Sequence, residues 1–152
     1  MQDDATIAET SARHAQWAFF RCGGRGFAMP IDRVAEIVPP APATRLPGAG
    51  PMVFGLVGFR GRVITVFDLG VIAGGNPAAD RPDHRLVFVR RGGRLFGFAV
   101  ETMVTITTAD EGVGGIDAAA GLERGDVRGT VTLDGQPYVQ LEVDHLLGRL
   151  LA

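Results

Sequence analysis

Apolar runs of five to seven residues alternate along the chain with breaks that contain glycine or proline. Short runs of this kind, bounded by turn residues, predict strands, and many of them in sequence are typical of a β-barrel or a sandwich. The predicted strands are Trp17–Cys22, Gly26–Ile31, Val34–Val38, Gly55–Phe59, Val63–Leu69, Leu86–Arg90, Leu95–Val100, Met103–Thr108, Val127–Leu133 and Tyr138–Val143.

Helical spacing is convincing only at the C-terminal end of the chain. Leucines 146, 147, 150 and 151 fall on one helical face there, and Asp144 is the predicted N-cap. Gly148 lies inside this segment and weakens it, so the helix is expected to need tertiary packing.

The strand pattern occurs twice. Residues 19–32 and 88–101 both give an apolar run, a Gly-Gly turn, an arginine, a second apolar run and an acid. Residues 55–72 align in the same way with residues 129–146. Such self-similarity indicates two related β units. A unit half this long buries too little apolar surface to be stable alone, so we expect the two units to share a core.

The repeat sets the predicted domain organisation. We expect a leader without fixed structure at residues 1–16 and one domain at residues 17–152. Within the domain, the first repeat spans about 17–73, the connector 74–84 and the second repeat about 85–152. The leader lacks an apolar signal-peptide core, and no apolar stretch approaches twenty residues, so a cytoplasmic location is the default expectation.

Composition limits the function classes. Hydrophobic residues make up 46% of the 152 residues and charged residues 21%, as in a soluble globular protein. The formal net charge of −2 argues against a nucleic-acid backbone as the main partner. All fifteen basic residues are arginine, which indicates a coding bias. The single cysteine, Cys22, excludes an internal disulfide and is interpreted as a small core or edge thiol.

Candidate catalytic groups are few. The only serine, Ser11, lies in the leader with His14, and the settings of His84 and His145 predict solvated side chains. No cluster has the spacing of a zinc or calcium site, and no glycine-rich segment fits a phosphate-binding loop. The sequence therefore argues against an enzyme and predicts no cofactor and no metal.

One hairpin differs informatively between the repeats. The second copy has Asp134-Gly135 at the turn, a pair that tolerates positive φ, whereas the first copy has Arg60-Gly61. Turn geometry does not favour arginine at this position. Two interpretations remain open: a guanidinium kept for a partner, or a surface arginine or internal salt bridge.

Apolar residues flank this turn, and alternation assigns most of Phe54, Leu56, Val57 and Phe59 to the core. One or two of them are candidates for a solvent-facing anchor beside the arginine. Trp17 is interpreted as a core residue, whereas Glu36, a charge inside an apolar run, predicts the polar face of an edge strand.

The segment Gly55–Leu69 resembles the CheW coupling-protein family of bacterial chemosensory arrays. That family typically shows Gly, two apolar residues and Asn-Leu-Arg-Gly, followed by an apolar run ending in Pro-Val, an apolar residue and Asp-Leu. The likeness extends to Gly26–Ile37, Phe96–Glu101 and Gln140–Leu147. Gly58, Phe59 and Thr65 depart from the family pattern, which has Asn, Leu and Pro there.

The resemblance implies two packed SH3-like five-stranded barrels, a short C-terminal helix and no enzyme activity. It implies an adaptor between the cytoplasmic tip of a methyl-accepting receptor and the regulatory domain of a CheA-type histidine kinase, at membrane-associated receptor arrays. Arg60 matches the family arginine associated with signalling contacts, Phe59 and Gly61 flank it, and Val34 and Glu36 match the neighbouring strand. The receptor tip is expected in the groove between the barrels near Arg60, and the kinase at a barrel end.

Two other function classes remain as alternatives. A small-ligand-binding β-barrel or accessory subunit of an enzyme requires a concave pocket with converging polar groups. A nucleic-acid-binding module requires a basic stripe with exposed aromatic residues, against which the near-neutral charge counts. Exposed strand edges would also allow ring assembly with like domains.

Overall fold

The structure, a computed structural model, describes residues 15–112 and 121–152. Within these ranges eleven strands form two sheets. The strands are β1 (Gln16–Cys22), β2 (Arg25–Pro30), β3 (Val34–Val38), β4 (Val53–Phe59), β5 (Arg62–Asp68), β6 (Arg85–Arg91), β7 (Arg94–Val100), β8 (Thr102–Thr108), β9 (Glu111–Gly112), β10 (Val127–Leu133) and β11 (Gln136–Leu141). Two α-helices, α1 (Leu69–Ile72) and α2 (Val143–Leu150), accompany them.

The predicted fold class is confirmed: the chain is mainly β, with two sheets and a short C-terminal helix. Each of the ten predicted strands is present, with shifts of one or two residues at the ends. The two-residue strand β9 and the helix α1 were not predicted. The leader up to residue 14 and residues 113–120 of the predicted loop between Asp110 and Gly125 lie outside the described residues.

The prediction for the start of the C-terminal helix was wrong by two residues. Glu142 is the N-cap of α2, and Asp144 lies in its first turn. The carboxylate of Asp144 is instead 2.6 Å from Nη2 of Arg33. Leu151, assigned to the apolar face, lies beyond the last turn and is 42% exposed.

The sheets do not follow the sequence repeats. One sheet has the order β8-β1-β2-β11-β10-β9 and the other β3-β6-β7-β5-β4. The hairpin β1–β2 of the first repeat therefore lies among strands of the second repeat, and the hairpin β6–β7 of the second lies among strands of the first. Two parallel pairings, β2 with β11 and β5 with β7, make these joins.

The expected shared core is present. One hydrophobic cluster takes Phe20 and Phe27 from the six-stranded sheet and Phe88 and Phe98 from the five-stranded sheet, all fully buried. Burial of a side chain of this size contributes about 2–3 kcal/mol of transfer free energy. The two sheets therefore stabilise each other through a common apolar interior.

Two further predictions about the core are confirmed. Trp17 is buried with Phe19 and Tyr138 in a second, smaller cluster, and its Nε1 donates a hydrogen bond to the carbonyl of Ala109. Cys22 is fully buried, and burial raises the pKa of its thiol to about 12. At neutral pH this thiol is protonated, as befits a small core residue.

Two buried carboxylates that the sequence did not single out anchor the irregular segments. Asp68 at the end of β5 accepts hydrogen bonds from the backbone NH groups of Val71, Ala78 and Ala79 and so fixes the start of the connector.

His84 in the same connector is buried, with Nδ1 2.6 Å from the carbonyl oxygen of Arg81, so the prediction of a solvated histidine was wrong here.

The second carboxylate, Asp126, is fully buried and ties the last described loop to α2. Its Oδ2 is 2.6 Å from Nη2 of Arg149, and its Oδ1 is 2.9 Å from Nδ1 of His145. Burial alone would raise the pKa of Asp126, but hydrogen bonds from Arg149, the Glu123 backbone and His145 outweigh that effect and hold the pKa below its ordinary value. His145 keeps 46% of its side chain exposed, as expected, but its ring is held by this contact.

A substitution at Gly26 in β2 would test how tightly the smaller hydrophobic cluster, which contains Tyr138, is packed. A Cβ added at Gly26 would clash with the Tyr138 ring, so Gly26→Ala is expected to lower the free energy of unfolding by about 1–3 kcal/mol. Gly129→Ala is the matched control, because its nearest contact would be 3.9 Å away. Urea denaturation of both variants measures the difference. Equal stabilities would contradict the tight contact with Tyr138.

The Asp126 cluster predicts a pH dependence. Because the folded-state pKa of Asp126 is lowered, its ionised form contributes stability above its unfolded pKa, and this is lost as the pH falls through the folded-state pKa. Asp126→Asn is therefore expected to cost about 1–3 kcal/mol at pH 7, and less at pH 3. Urea denaturation at both pH values is the measurement, with the exposed turn residue Asp134→Asn as control. A loss of equal size at both pH values would argue against the cluster.

Candidate functional site

The two hairpin turns singled out by the sequence are geometrically equivalent. Arg60 and Gly61 have φ values of 49° and 75°, and Asp134 and Gly135 have values of 51° and 76°. Within the described residues, Arg60 and Asp134 are the only non-glycine residues with positive φ. Aspartate tolerates this conformation, whereas for arginine it costs about 1 kcal/mol. Local folding therefore does not account for the arginine.

The guanidinium of Arg60 contacts Glu36 and Phe59. Its Nη2 is 3.4 Å from Oε1 of Glu36, and its Cζ is 4.8 Å from the centre of the Phe59 ring. The Arg60 side chain is nevertheless 73% exposed. The internal salt bridge considered for this residue is thus present, but an exposed pair of this kind contributes only about 0–1 kcal/mol. The pair orients an accessible cation rather than burying it.

Phe59 packs between the Arg60 guanidinium and the hydrophobic core. It is half-buried, and its ring meets the fully buried Phe88 edge-on at a centroid distance of 5.0 Å. Among the other apolar residues considered as anchors, Val57 is in the core and Phe54 and Leu56 are half-buried. Phe59 therefore joins the core to the exposed tip.

β3 brings Glu36 to the tip from the other side. This strand lies at the edge of the five-stranded sheet, as the charge within it predicted, and Glu36 is opposite Phe88 of β6. Val34, on the same strand, is half-buried opposite Val89 and does not line the space beside Arg60. Gly61 contributes the conformation of the turn, and a Cβ added there would meet no atom within 4 Å.

An open groove of about 320 Å³ lies at this end of the five-stranded sheet. It is lined by Ala35, Glu36, Phe59, Arg60, Arg62, Arg90 and Leu95. The structure thus brings together three of the five predicted partner-binding residues (Phe59, Arg60 and Glu36), with Gly61 in the adjoining turn and Val34 outside the lining.

Sequence reasoning missed Arg62 and Arg90. Arg62 lies two residues before the buried Ile64 in β5, so alternation assigns both side chains to the inner face of the sheet. Arg62 is the first residue of this strand and therefore lies at the end of the sheet. Arg90 is opposite Leu95 in the β6–β7 hairpin, and its carbonyl accepts a hydrogen bond from Arg33. The alternation of side chains along β5 could have identified Arg62 as a groove residue. The position of Arg90 beside the groove depends on the pairing of β3 with β6, which the sequence does not reveal.

Gly58, where the family pattern has asparagine, leaves the groove geometry intact. A Cβ added at Gly58 would meet no atom within 4 Å, so a longer side chain there would extend into open space. Opposite Gly58 is Val63, which at 72% is the most exposed large apolar side chain among the described residues. At this pair, the outer face of the β4–β5 hairpin therefore has no side chain at Gly58 and an exposed apolar side chain at Val63.

The described residues contain no group of three or more His, Cys, Asp or Glu side chains placed to hold a metal ion. Over the same part of the chain, no helix has the length and apolarity required to cross a membrane.

A larger cavity of about 370 Å³ lies apart from Arg60 and includes Arg45, Phe54 and Asp80 in its lining. An exposed arginine beside an anchored aromatic ring is the composition typical of a protein-binding surface.

Comparison with known proteins adds relatives of known name. The chain is similar to the chemotaxis protein CheW of Rhizobium meliloti, with 29% identity over 127 residues, covering 82% of each chain. It is also similar to protein PilI of Pseudomonas aeruginosa, with 34% identity over 70 residues, or 46% of this chain and 39% of PilI.

A solved structure gives the same fold. The scaffolding protein TtCheW from Thermoanaerobacter tengcongensis superposes with a TM-score of 0.75 and 20% identity, over 85% of this chain and 89% of that one. This likeness confirms the predicted fold of two subdomains. The sequence model of the CheW-like domain matches residues 16–150. Because that match spans almost all of the described residues, the chain belongs to the CheW-like family of chemotaxis scaffold proteins.

Proposed function

We propose that the protein is a non-catalytic adaptor that couples methyl-accepting chemoreceptors to a CheA-type histidine kinase. One observation carries the proposal: Arg60 occupies a strained turn position that its counterpart fills with aspartate, and its side chain is 73% exposed. Because the Glu36 pair contributes little stability, the retained guanidinium is best explained by recognition of another protein. Family membership identifies the partners to be tested.

The geometry supports a receptor contact at the hairpin tip. Phe59 holds the tip on the core through Phe88, and Glu36 orients the guanidinium from β3. A docking partner then meets a placed cation instead of a freely rotating one, which lowers the entropy lost on binding. We propose that the receptor's cytoplasmic tip binds here, with Gly61 and Val34 shaping the turn and the neighbouring edge strand.

A second face completes the adaptor. We propose that the regulatory domain of the kinase binds a barrel end, so that receptor and kinase are held together through two modest contacts. The protein would then act in the cytoplasm at membrane-associated receptor arrays, in a flagellar or pilus-type pathway, with residues 17–152 as the functional domain. β8, an edge strand with exposed Val104 and Ile106, offers a place for ring assembly with like domains.

Reversing the charge at the tip tests the receptor contact. Arg60→Glu is expected to keep the fold, because the side chain is exposed and its ion pair is weak. It is expected to reduce recovery of a receptor cytoplasmic fragment at least tenfold, a loss of about 1.4 kcal/mol. The measurement is a pull-down with the receptor fragment and the kinase, together with circular dichroism and receptor-controlled kinase activity.

The chain supplies a matched control. Asp134→Arg places a guanidinium at the same positive φ in the other hairpin, away from Phe59 and Glu36, and is expected to leave receptor recovery unchanged. Undiminished recovery of receptor and kinase by the Arg60→Glu protein would remove Arg60 from the site. Because the two substitutions change the net charge in opposite directions, equal losses in both variants would indicate a general disturbance of the protein instead of a contact at this tip.

A further inference from the structure

The groove beside Arg60 is locally cationic in a chain that is acidic as a whole. Its lining holds three guanidinium groups, on Arg60, Arg62 and Arg90, and one carboxylate, on Glu36. The whole chain has a formal net charge of −2. The positive charge is therefore a property of this surface, where it attracts anionic groups at short range.

Glu36 neutralises only one of the three cations. It pairs with Arg60, and no acid of the described chain forms a salt bridge with the side chain of Arg62 or Arg90. Both arginines are exposed, and both line the groove. Arginine presents a planar fork that fits a carboxylate with two parallel hydrogen bonds.

The rest of the lining is apolar. Ala35, Phe59 and Leu95 contribute aliphatic and aromatic surface between the arginines. The strand that carries Arg90 is fixed from behind, because Nη2 of Arg33 donates to the Arg90 carbonyl at 2.9 Å and also pairs with Asp144 of α2. The groove therefore combines apolar surface with three guanidinium groups.

We propose that Arg62 and Arg90, together with Arg60, recognise carboxylates on the partner segment that occupies this groove. The occupant is a segment of the receptor's cytoplasmic tip that carries an apolar side chain flanked by at least two Asp or Glu residues. Charge complementarity selects this occupant, since the groove supplies two cations beyond the one that Glu36 neutralises. The inference rests on the proposed adaptor function and specifies the chemistry of the partner's docking face.

The test measures binding of a cytoplasmic tip fragment of a methyl-accepting receptor from the same genome, by fluorescence anisotropy. Arg62→Gln and Arg90→Gln are each expected to weaken binding about 3- to 10-fold and to reduce its dependence on salt concentration. Arg91→Gln is the matched control, because Arg91 is the exposed neighbour of Arg90 in the same hairpin but does not line the groove. Its affinity is expected to equal that of the unmodified protein.

A second fragment, with the Asp and Glu residues of its tip changed to Asn and Gln, separates carboxylate recognition from packing. It is expected to bind the unmodified protein more weakly than the parent fragment does. The two fragments are expected to differ less in affinity for the double variant Arg62→Gln/Arg90→Gln than for the unmodified protein, because only Arg60 remains to distinguish them. A difference of the same size for both proteins would overturn the role of Arg62 and Arg90.

The outcomes separate the two proposals. If Arg60→Glu weakens binding but Arg62→Gln and Arg90→Gln do not, carboxylate recognition by this pair is overturned and the adaptor function stands. If the neutralised fragment binds as tightly as its parent, the inference is likewise overturned. If the unmodified protein binds neither the fragment nor the kinase, the adaptor function fails, and the inference fails with it. Displacement of the fragment by a short single-stranded oligonucleotide at equal affinity would overturn selectivity for a carboxylate-bearing protein.

Discussion

The parallel pairing of β5 with β7 is the constraint on which the functional surface depends. Through it, the β6–β7 hairpin from the second repeat becomes the middle of a sheet whose other strands come from the first. β3 then pairs with β6, which places Glu36 opposite Phe88 and within reach of Arg60. The groove is therefore assembled from both halves of the chain, and its arginines are distributed between them.

The site also shows how a small surface is built on a rigid core without burying its charges. The buried aromatic Phe88 supports Phe59, the Phe59 ring supports the guanidinium, and the half-buried Glu36 orients it. Each contact outside the core is weak in itself, so the cation remains available for exchange between intramolecular and intermolecular partners. Deeper in the molecule the opposite arrangement holds, since Asp126 is fully buried and its carboxylate is satisfied by Arg149 and His145.

Local signals sufficed for the strands and the turns. Alternation and Gly-rich breaks predicted the strands, and the contrast between Arg60 and Asp134 identified the two equivalent positive-φ positions. Alternation could not reveal which strands pair across the repeats, because the joins β2–β11 and β5–β7 connect segments far apart in sequence. For the same reason Arg90 was missed, and Asp126 was not recognised as buried, since its partners His145 and Arg149 lie in α2. His84 bonds to Arg81 in its own connector, but its burial beside Phe54 of β4 depends on packing between segments.

Each repeat contributes a hairpin to the sheet formed mainly by the other repeat, and this arrangement constrains the order in which the chain is able to fold. β1 and β2 emerge from the ribosome before the other described strands, yet β2 pairs with β11, the last of them. Until Gln136–Leu141 has been synthesised, the apolar side chains of Phe19, Phe20 and Phe27 have no complete sheet to enter. Contacts of such long range are formed late and leave strand edges exposed during synthesis, so this topology makes protection of the nascent chain from aggregation depend on the synthesis of β11.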